Sequence, residues 1–415
     1  MGQHRMPITR RLGRIGAVIG SQAVSSITNF AVNALALASG DIASYGRFAI
    51  SFQVCQLMIT LAHGSIGETT LVHTSAHPHS VESRRLRNGA ASLCIVIGAA
   101  LSLPLLGASF IDRDLRTGLI IAAVGSPFML PQYVYRAQVF AAGRPGRALA
   151  SDTVWLAVVA IGGVCGLTVW DATPNGHLAV WLVGGAIAGS PAILGALTGG
   201  PGQIRALVDR AGPQMIRLGA ESFMARIAVF VALVALQVAG EDAAAGALAT
   251  ALMLFSPLGV VLSAVSSFVV PREVRRHGIH VVRPVVPAVV SAVLGTITLG
   301  WAAMLYLINE FDLIGGPLDL ERNLVSTRLL LAMTLHFLGM SVWRGAMIAL
   351  RINDAAAESM RARSVGTAAQ LTLPIVGVAL SGVTWGTVGL AVGTMIGGLD
   401  IWRRYARMRR SPVAV

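Results

Sequence analysis

Gly40-Asp41-Ile42-Ala43-Ser44-Tyr45-Gly46-Arg47-Phe48-Ala49 recurs at an offset of 200 as Gly240-Glu241-Asp242-Ala243-Ala244-Ala245-Gly246-Ala247-Leu248-Ala249. Both copies share Gly, an acid, Ala, Gly and Ala at the same spacing. In each, an acidic turn closes one long apolar run and opens the next. That is the pattern of a short turn between a first and a second membrane helix. At an offset of 208, Val134-Tyr135-Arg136 followed by Ala141 recurs as Val342-Trp343-Arg344 followed by Ala349. With 46 glycines in the chain, one such match would arise easily by chance. Two at equivalent places in the order of apolar runs indicate a duplicated unit.

Working outward from these copies, apolar runs long enough to span hydrocarbon, about 20 residues each, fill the chain of 415 residues. They are placed at 15–39, 42–66, 86–108, 118–141, 148–170, 177–198, 215–239, 243–270, 281–308, 325–350, 364–381 and 384–402. Each must be helical, because lipid offers the backbone no hydrogen-bond partner. Hydrophobic residues make up 54% of the sequence and charged residues 12%, and the mean hydropathy is +0.70. So few charges cannot cover a water-facing surface of this size. The abundant small residues suit close helix packing in a bilayer. The first segment carries Asn29 and Asn33 and no small-residue cleavage site, so it is read as a retained helix rather than a signal peptide.

The net charge of +13 comes entirely from arginine. Arginines cluster at both ends and in alternate loops: Arg84, Arg85 and Arg87; Arg144 and Arg147; Arg205, Arg210 and Arg217; Arg272, Arg275, Arg276 and Arg283; Arg351, Arg361 and Arg363. The intervening loops are acidic or neutral. This is the positive-inside pattern of a multi-pass cell-membrane protein with both termini cytoplasmic, and it removes nucleic acid as a partner. An all-α polytopic fold of about 12 transmembrane helices follows. It divides into lobes at 1–198 and 215–415, joined by a cytoplasmic linker at 199–214 that contains Gly199-Gly200-Pro201-Gly202. Six helices per unit is even, so the copies insert in the same orientation and are related by a parallel pseudo-two-fold.

Gly20-Ser21-Gln22-Ala23-Val24-Ser25-Ser26-Ile27-Thr28-Asn29-Phe30, Gly46-Arg47-Phe48-Ala49 and Gly64-x-x-Gly67-Glu68 resemble the polysaccharide/O-antigen flippases. These belong to the multidrug/oligosaccharidyl-lipid/polysaccharide (MOP) exporter superfamily. Tyr135-Arg136 through Gly143-Arg144-Pro145, Asp152 with Trp155, and Ala245-Gly246-Ala247-Leu248 running into Ser256-Pro257-Leu258-Gly259 and Pro271-Arg272-Glu273 are similar to its actinobacterial branch. The likeness covers most of the first 275 residues and fades in the last third. It implies two six-helix MATE-like lobes, alternating access, and export of an undecaprenyl-diphosphate-linked oligosaccharide for cell-surface polysaccharide. The partners it implies are that lipid-linked oligosaccharide, membrane lipids, a polysaccharide polymerase and glycosyltransferases, with no cofactor. Other members carry drugs or the peptidoglycan precursor.

Polar residues inside spans are expensive, so each invites a functional reading. Arg226 lies nine residues past Arg217, roughly 13 Å along a helix, too deep for easy snorkelling. It is a candidate for binding a diphosphate, set against a structural pair with a carboxylate such as Glu221. Glu221 is four residues from Arg217 and is either an ordinary helix-face pair or a proton-coupling group. His336 is a candidate proton relay or a hydrogen-bonded packing residue. Arg136 and Arg344, matched by the repeat, either line the inner mouth of a basic cavity or snorkel to headgroups. Arg47 has the same two readings at the other end of its helix, and Glu68 is a second coupling candidate. Asn29, Asn33, Gln53 and Gln56 either glue helices or line a path for sugar hydroxyls.

Cys55, Cys94 and Cys165 sit in apolar runs as packing residues, with no metal-ligand spacing. No nucleotide-binding Gly loop, HExxH or nucleophile elbow is present. The short external loops leave little room for a glycan-transferring enzyme. The loop after the second helix, His79-Ser80-Val81-Glu82-Ser83-Arg84-Arg85-Leu86-Arg87, lacks the Gly–Asp–Arg element expected of a major facilitator. A transporter, not an enzyme, is expected, with drug extrusion as the alternative cargo class.

Overall fold

Long apolar runs become long helices. The computed structural model describes residues 8–74, 80–198, 200–277, 285–311, 325–352 and 356–410, and every regular element among them is helical. In chain order these are α1 (Ile8–Ala38), α2 (Ile42–Ala62), α3 (Glu68–Thr74), α4 (Val81–Ile111), α5 (Arg116–Ala141), α6 (Pro145–Thr168) and α7 (Pro174–Ala188). Then follow α8 (Ser190–Leu197), α9 (Pro201–Val238), α10 (Asp242–His277), α11 (Val285–Glu310), α12 (Thr327–Ile352), α13 (Ala356–Ser381) and α14 (Val383–Arg410). A π-helical turn, His63–Gly67, joins α2 to α3.

Each of the twelve expected spans falls, in its described residues, on one of these stretches, with α2–α3 forming the second and α7–α8 the sixth. Among the described residues, eight helices are long and apolar enough to cross a membrane, nine if α7–α8 is one bent span. The fold is that of an all-α polytopic membrane protein. Its outward faces agree: Leu103, Phe110, Val124, Ile161, Leu194, Leu335, Leu380 and Leu399 are exposed. That much bare apolar surface suits hydrocarbon rather than water.

Local chemistry sets the ends. Ser80 caps α4 by accepting a hydrogen bond from the Ser83 amide at 3.1 Å, and Asp41 caps α2 through the Ser44 amide at 2.7 Å. Pro145, Pro174 and Pro201 open their helices, where a missing N–H costs nothing. α9 closes on Gly240, whose φ of 77° few other residues adopt; Glu241 N–H reaches Leu236 O and Gly240 N–H reaches Gln237 O, both at 2.9 Å. Pro104, Pro127, Pro131, Pro257 and Pro374 all sit within unbroken helices. Among the described residues, one span breaks, at Gly189-Ser190-Pro191, bending by 61°.

The expected linker at 199–214 differs from the structure. From Pro201 the chain is helix, because a proline at the first helical position starts a helix as readily as it ends one. This part of α9 packs on α2–α4: Gln203 lies against Gly89, Arg210 pairs with Glu82, the side chains of His73 and Gln214 meet at 3.0 Å, and Ser222 lies against Gly64. The chain accordingly forms two compact units with other boundaries than the sequence proposed. The first holds residues up to Gly40 and Ser51–Phe223; the second holds Asp41–Ile50 and the chain from Met224.

Within the first unit α4 packs on α5, α5 on α7 and α6 on α7; within the second α11 packs on α12, α12 on α14 and α13 on α14. Counting six spans per copy, these are corresponding pairs. The duplicated turns also meet one another inside the second unit. A Cβ added to Gly46 would lie 2.3 Å from Asp242 O, and one added to Gly246 would lie 2.1 Å from Ile42 O. Residues 42 and 242, like 46 and 246, are 200 positions apart. The contact is therefore reciprocal, as at a two-fold interface, and only glycine permits so close a crossing.

Candidate functional site

A charge cannot be left bare in a membrane helix, and the first unit meets this rule by internal pairing. Arg136 on α5 is 7% exposed and Asp152 on α6 is fully buried. Arg136 Nε lies 3.3 Å from Asp152 Oδ2. The other guanidinium nitrogens donate to α1: Nη1 to Ser25 Oγ at 3.2 Å, Nη2 to Ser21 Oγ at 3.3 Å and to Gln22 Oε1 at 3.2 Å. Ser21 donates to Asp152 Oδ2 at 2.5 Å, and Gln132 Nε2 donates to Oδ1 at 2.7 Å. Three helices are thus tied at one charged node. Beside it, Tyr133 meets Trp155 edge-on and Trp155 meets Trp181 at a tilt, with centroids 5.8 and 5.3 Å apart. Trp181 Nε1 donates to Asn29 Oδ1 at 3.1 Å.

The second unit has a neutral node instead. His336 on α12 is 5% exposed, and its Nδ1 lies 2.7 Å from Thr394 Oγ1 on α14. Gln370 Nε2 on α13 donates to the same oxygen at 2.7 Å, and the hydroxyl itself donates to Leu390 O at 2.8 Å. With its one proton committed to Leu390, the hydroxyl accepts from His336, which places the imidazole proton on Nδ1. The second unit's matched Trp343, next to Arg344, lies in an apolar cluster with Met347, Leu350 and Ile401. Arg363 stacks over its ring at 4.4 Å.

The sequence-derived candidates therefore separate. Arg136 is buried inside one unit, where a carboxylate sixteen residues on pairs with it. Arg47 is half-buried and pairs with Asp242 at 2.9 Å. Asn33 donates to Asn29 O one turn back at 2.7 Å, and Gln56 is buried. Gln53, Glu68, Glu221 and Arg344 are half-buried, while Arg226 is exposed on α9. Among the described residues no group of His, Cys, Asp and Glu is placed to hold a metal. Missed by the sequence reading were Ser21 and Gln132 as partners of a charge, and His63, which opens the π-turn with its ring 6.4 Å from Tyr133. A π-turn has no residue signature, but such turns often mark functional positions.

No family model matches the sequence, and neither does any curated protein. Solved structures do match. The lipid II flippase MurJ in an inward closed conformation superposes with a TM-score of 0.68 at 13% identity, over 95% of this chain and 87% of its own. An inward-facing MATE-family multidrug resistance transporter of the MOP superfamily gives 0.66 at 11% identity, over 95% and 100%. The chain has the MOP-transporter fold. A MOP superfamily transporter from Pyrococcus furiosus, whose reverse pocket polarity suggests a different function for that protein, gives 0.65 at 12% identity, over 95% and 94%. At these identities the likeness is one of fold, and cargo has to be argued from side chains.

Proposed function

We propose that this chain is a flippase that exports an undecaprenyl-diphosphate-linked oligosaccharide by alternating access, in a cytoplasmic membrane with both termini inside. Arg226 carries the reading. It sits near the middle of the expected seventh span and is exposed, so an incoming ligand can reach its guanidinium. A planar fork of charge-assisted donors fits a diphosphate. The resemblance at residues 20–30, 46–49 and 64–68, and the fold shared with a lipid II flippase, support a lipid-linked cargo. Glu68 and Glu221, both half-buried, serve as the coupling carboxylates of this reading. His336 fits its hydrogen-bonded node better than a relay. A polysaccharide polymerase and glycosyltransferases would act on the exported chain.

Drug extrusion is the second reading, favoured by the MATE-family multidrug resistance neighbour. The two differ in cargo charge, because an exposed arginine attracts a diphosphate and repels a cationic drug. The deciding measurement is the sidedness of lipid-linked sugar in cells depleted of the protein and complemented with wild type, Arg226→Lys or Arg226→Gln. Accumulation on the cytoplasmic leaflet is expected with Arg226→Gln, with partial rescue by Arg226→Lys. Unchanged sidedness on depletion, together with new sensitivity to cationic drugs, would replace this reading with the second.

A further inference from the structure

The break between α7 and α8 opens a groove in the first unit that takes no part in either polar node. A cavity of about 440 Å³ lies beside the bend, lined among others by Tyr135, Arg147, Val154, Ile187, Ser190 and Pro191. Its origin is the backbone. A Cβ on Gly189 would lie 2.8 Å from Gln132 N, so α7 ends pressed against α5. Ala192 N–H bonds Gly189 O rather than Ala188 O. Ser151 Oγ takes over that carbonyl at 2.9 Å, so the notch is fixed by satisfied hydrogen bonds.

Its chemistry is graded along α6. Arg147, Ser151 and Val154 lie at i, i+4 and i+7 on one helix face, and all three line the groove. Arg147 is the third residue of α6, and Val154 is roughly 10 Å deeper in the same span at 1.5 Å per residue. Arg147 is exposed and has no carboxylate partner among the described residues, and the lining contains no acid. At the deeper end Val154 and Ile187 are 44% and 48% exposed. One cation and hydroxyls at the mouth, with apolar walls toward the membrane interior, form an amphipathic slot with the polarity of a single lipid.

We propose that this groove holds one anionic phospholipid of the bilayer, its phosphate on Arg147 and an acyl chain along Val154, Ile187 and Pro191. A zwitterionic lipid carries its own cation to the same arginine and is disfavoured there, while a free phosphate gains nothing from the apolar wall. Selectivity therefore needs both ends of the slot.

The test is native mass spectrometry of the full purified chain titrated with phosphatidylglycerol or phosphatidylcholine of identical acyl chains. It reads binding without transport, so it stands or falls apart from the cargo proposal. Wild type retains phosphatidylglycerol about fivefold better than phosphatidylcholine, the worth of one interfacial arginine. Arg147→Gln removes that preference. Ile187→Trp, which fills the slot and leaves the charge in place, lowers retention of phosphatidylglycerol as well. Arg205→Gln, at an exposed cytoplasmic pair with Asp209, changes neither. Equal retention of the two lipids by wild type would overturn the proposal. So would an Ile187→Trp variant that binds as wild type does, or displacement of phosphatidylglycerol by millimolar inorganic phosphate, since both reduce the effect to surface charge.

Discussion

The two units share a packing order but not the means of joining it. In the first, α1, α5 and α6 meet at a buried ion pair, Arg136 with Asp152, whose spare donors and acceptors are taken by Ser21, Gln22, Ser25 and Gln132. In the second, α12, α13 and α14 meet at a neutral hydroxyl shared by His336 and Gln370. α13 and α14 also approach so closely that a Cβ on Gly389 would lie 2.3 Å from Leu373 O and one on Gly393 2.7 Å from Gln370 N. Backbone proximity of this kind gains van der Waals contact where burying apolar side chains gains little. Corresponding helices touch in the two units, and each unit has its own polar fastening. The charged solution is rigid but unforgiving, because loss of either partner strands an ion in a low-dielectric interior.

That asymmetry yields the largest expected effect. Asp152→Ala leaves Arg136 buried without its counter-ion and is expected to cost about 3–5 kcal/mol, read as a fall in apparent melting temperature of the purified protein. Arg136→Met alone should cost a similar amount. The pair Arg136→Met with Asp152→Leu, which removes both charges, should recover much of the loss. Strict additivity of the two single changes would break the claim that they form one node.

Thr394→Val tests the neutral node. It keeps the shape and deletes the hydroxyl that serves three hydrogen bonds, leaving Gln370 and His336 short of an acceptor. Each neutral donor left unsatisfied costs about 1–3 kcal/mol, and neither carries a full charge into the interior as Arg136 does, so the melting temperature should fall by no more than with Asp152→Ala. A larger fall than that variant's would reverse the ranking of the two fastenings.

The same contrast explains what could be read from the sequence. Helix number and order were legible because hydropathy is local, and the duplication was legible because Gly46 and Gly246 must both stay small to cross. The unit boundary was not. Gly199-Gly200-Pro201-Gly202 resembles a hinge, and only the packing of Gln203, Arg210 and Gln214 on α3 and α4 shows α9 to begin there. Polar partners across helices were hidden for a related reason. Spacing rules find partners on one helix, such as Arg217 and Glu221, whereas Arg136 finds Asp152 across a turn and Arg47 finds Asp242 nearly 200 residues away. Asp152 was visible only as part of a family-like stretch, with no spacing to link it to a cation.

The smallest effect belongs to the second unit's remaining acid–base cluster, which lies at helix ends. Glu358 at the start of α13 meets Arg404 near the end of α14 at 2.8 Å and Arg361 at 2.6 Å, and Arg404 also meets Asp400 at 2.6 Å. The hydrogen bond from Arg404, with the nearby charges of Arg361 and Arg404, holds the Glu358 carboxyl below its ordinary value of 4.5. A carboxylate depressed in the folded state stabilises above its unfolded value and loses that contribution as pH falls through the folded one. The cluster should therefore hold from neutral pH down to about 4.5 and weaken only below it. Because Glu358 is one-third exposed, water screens the pair, and Glu358→Gln should cost under about 1 kcal/mol at neutral pH. Melting curves of wild type and Glu358→Gln should differ slightly at pH 7 and converge as the pH falls through the lowered Glu358 value. A gap as wide as that of Asp152→Ala would mean that a partly exposed pair can rival a buried one, and the contrast between the two units would no longer rest on burial.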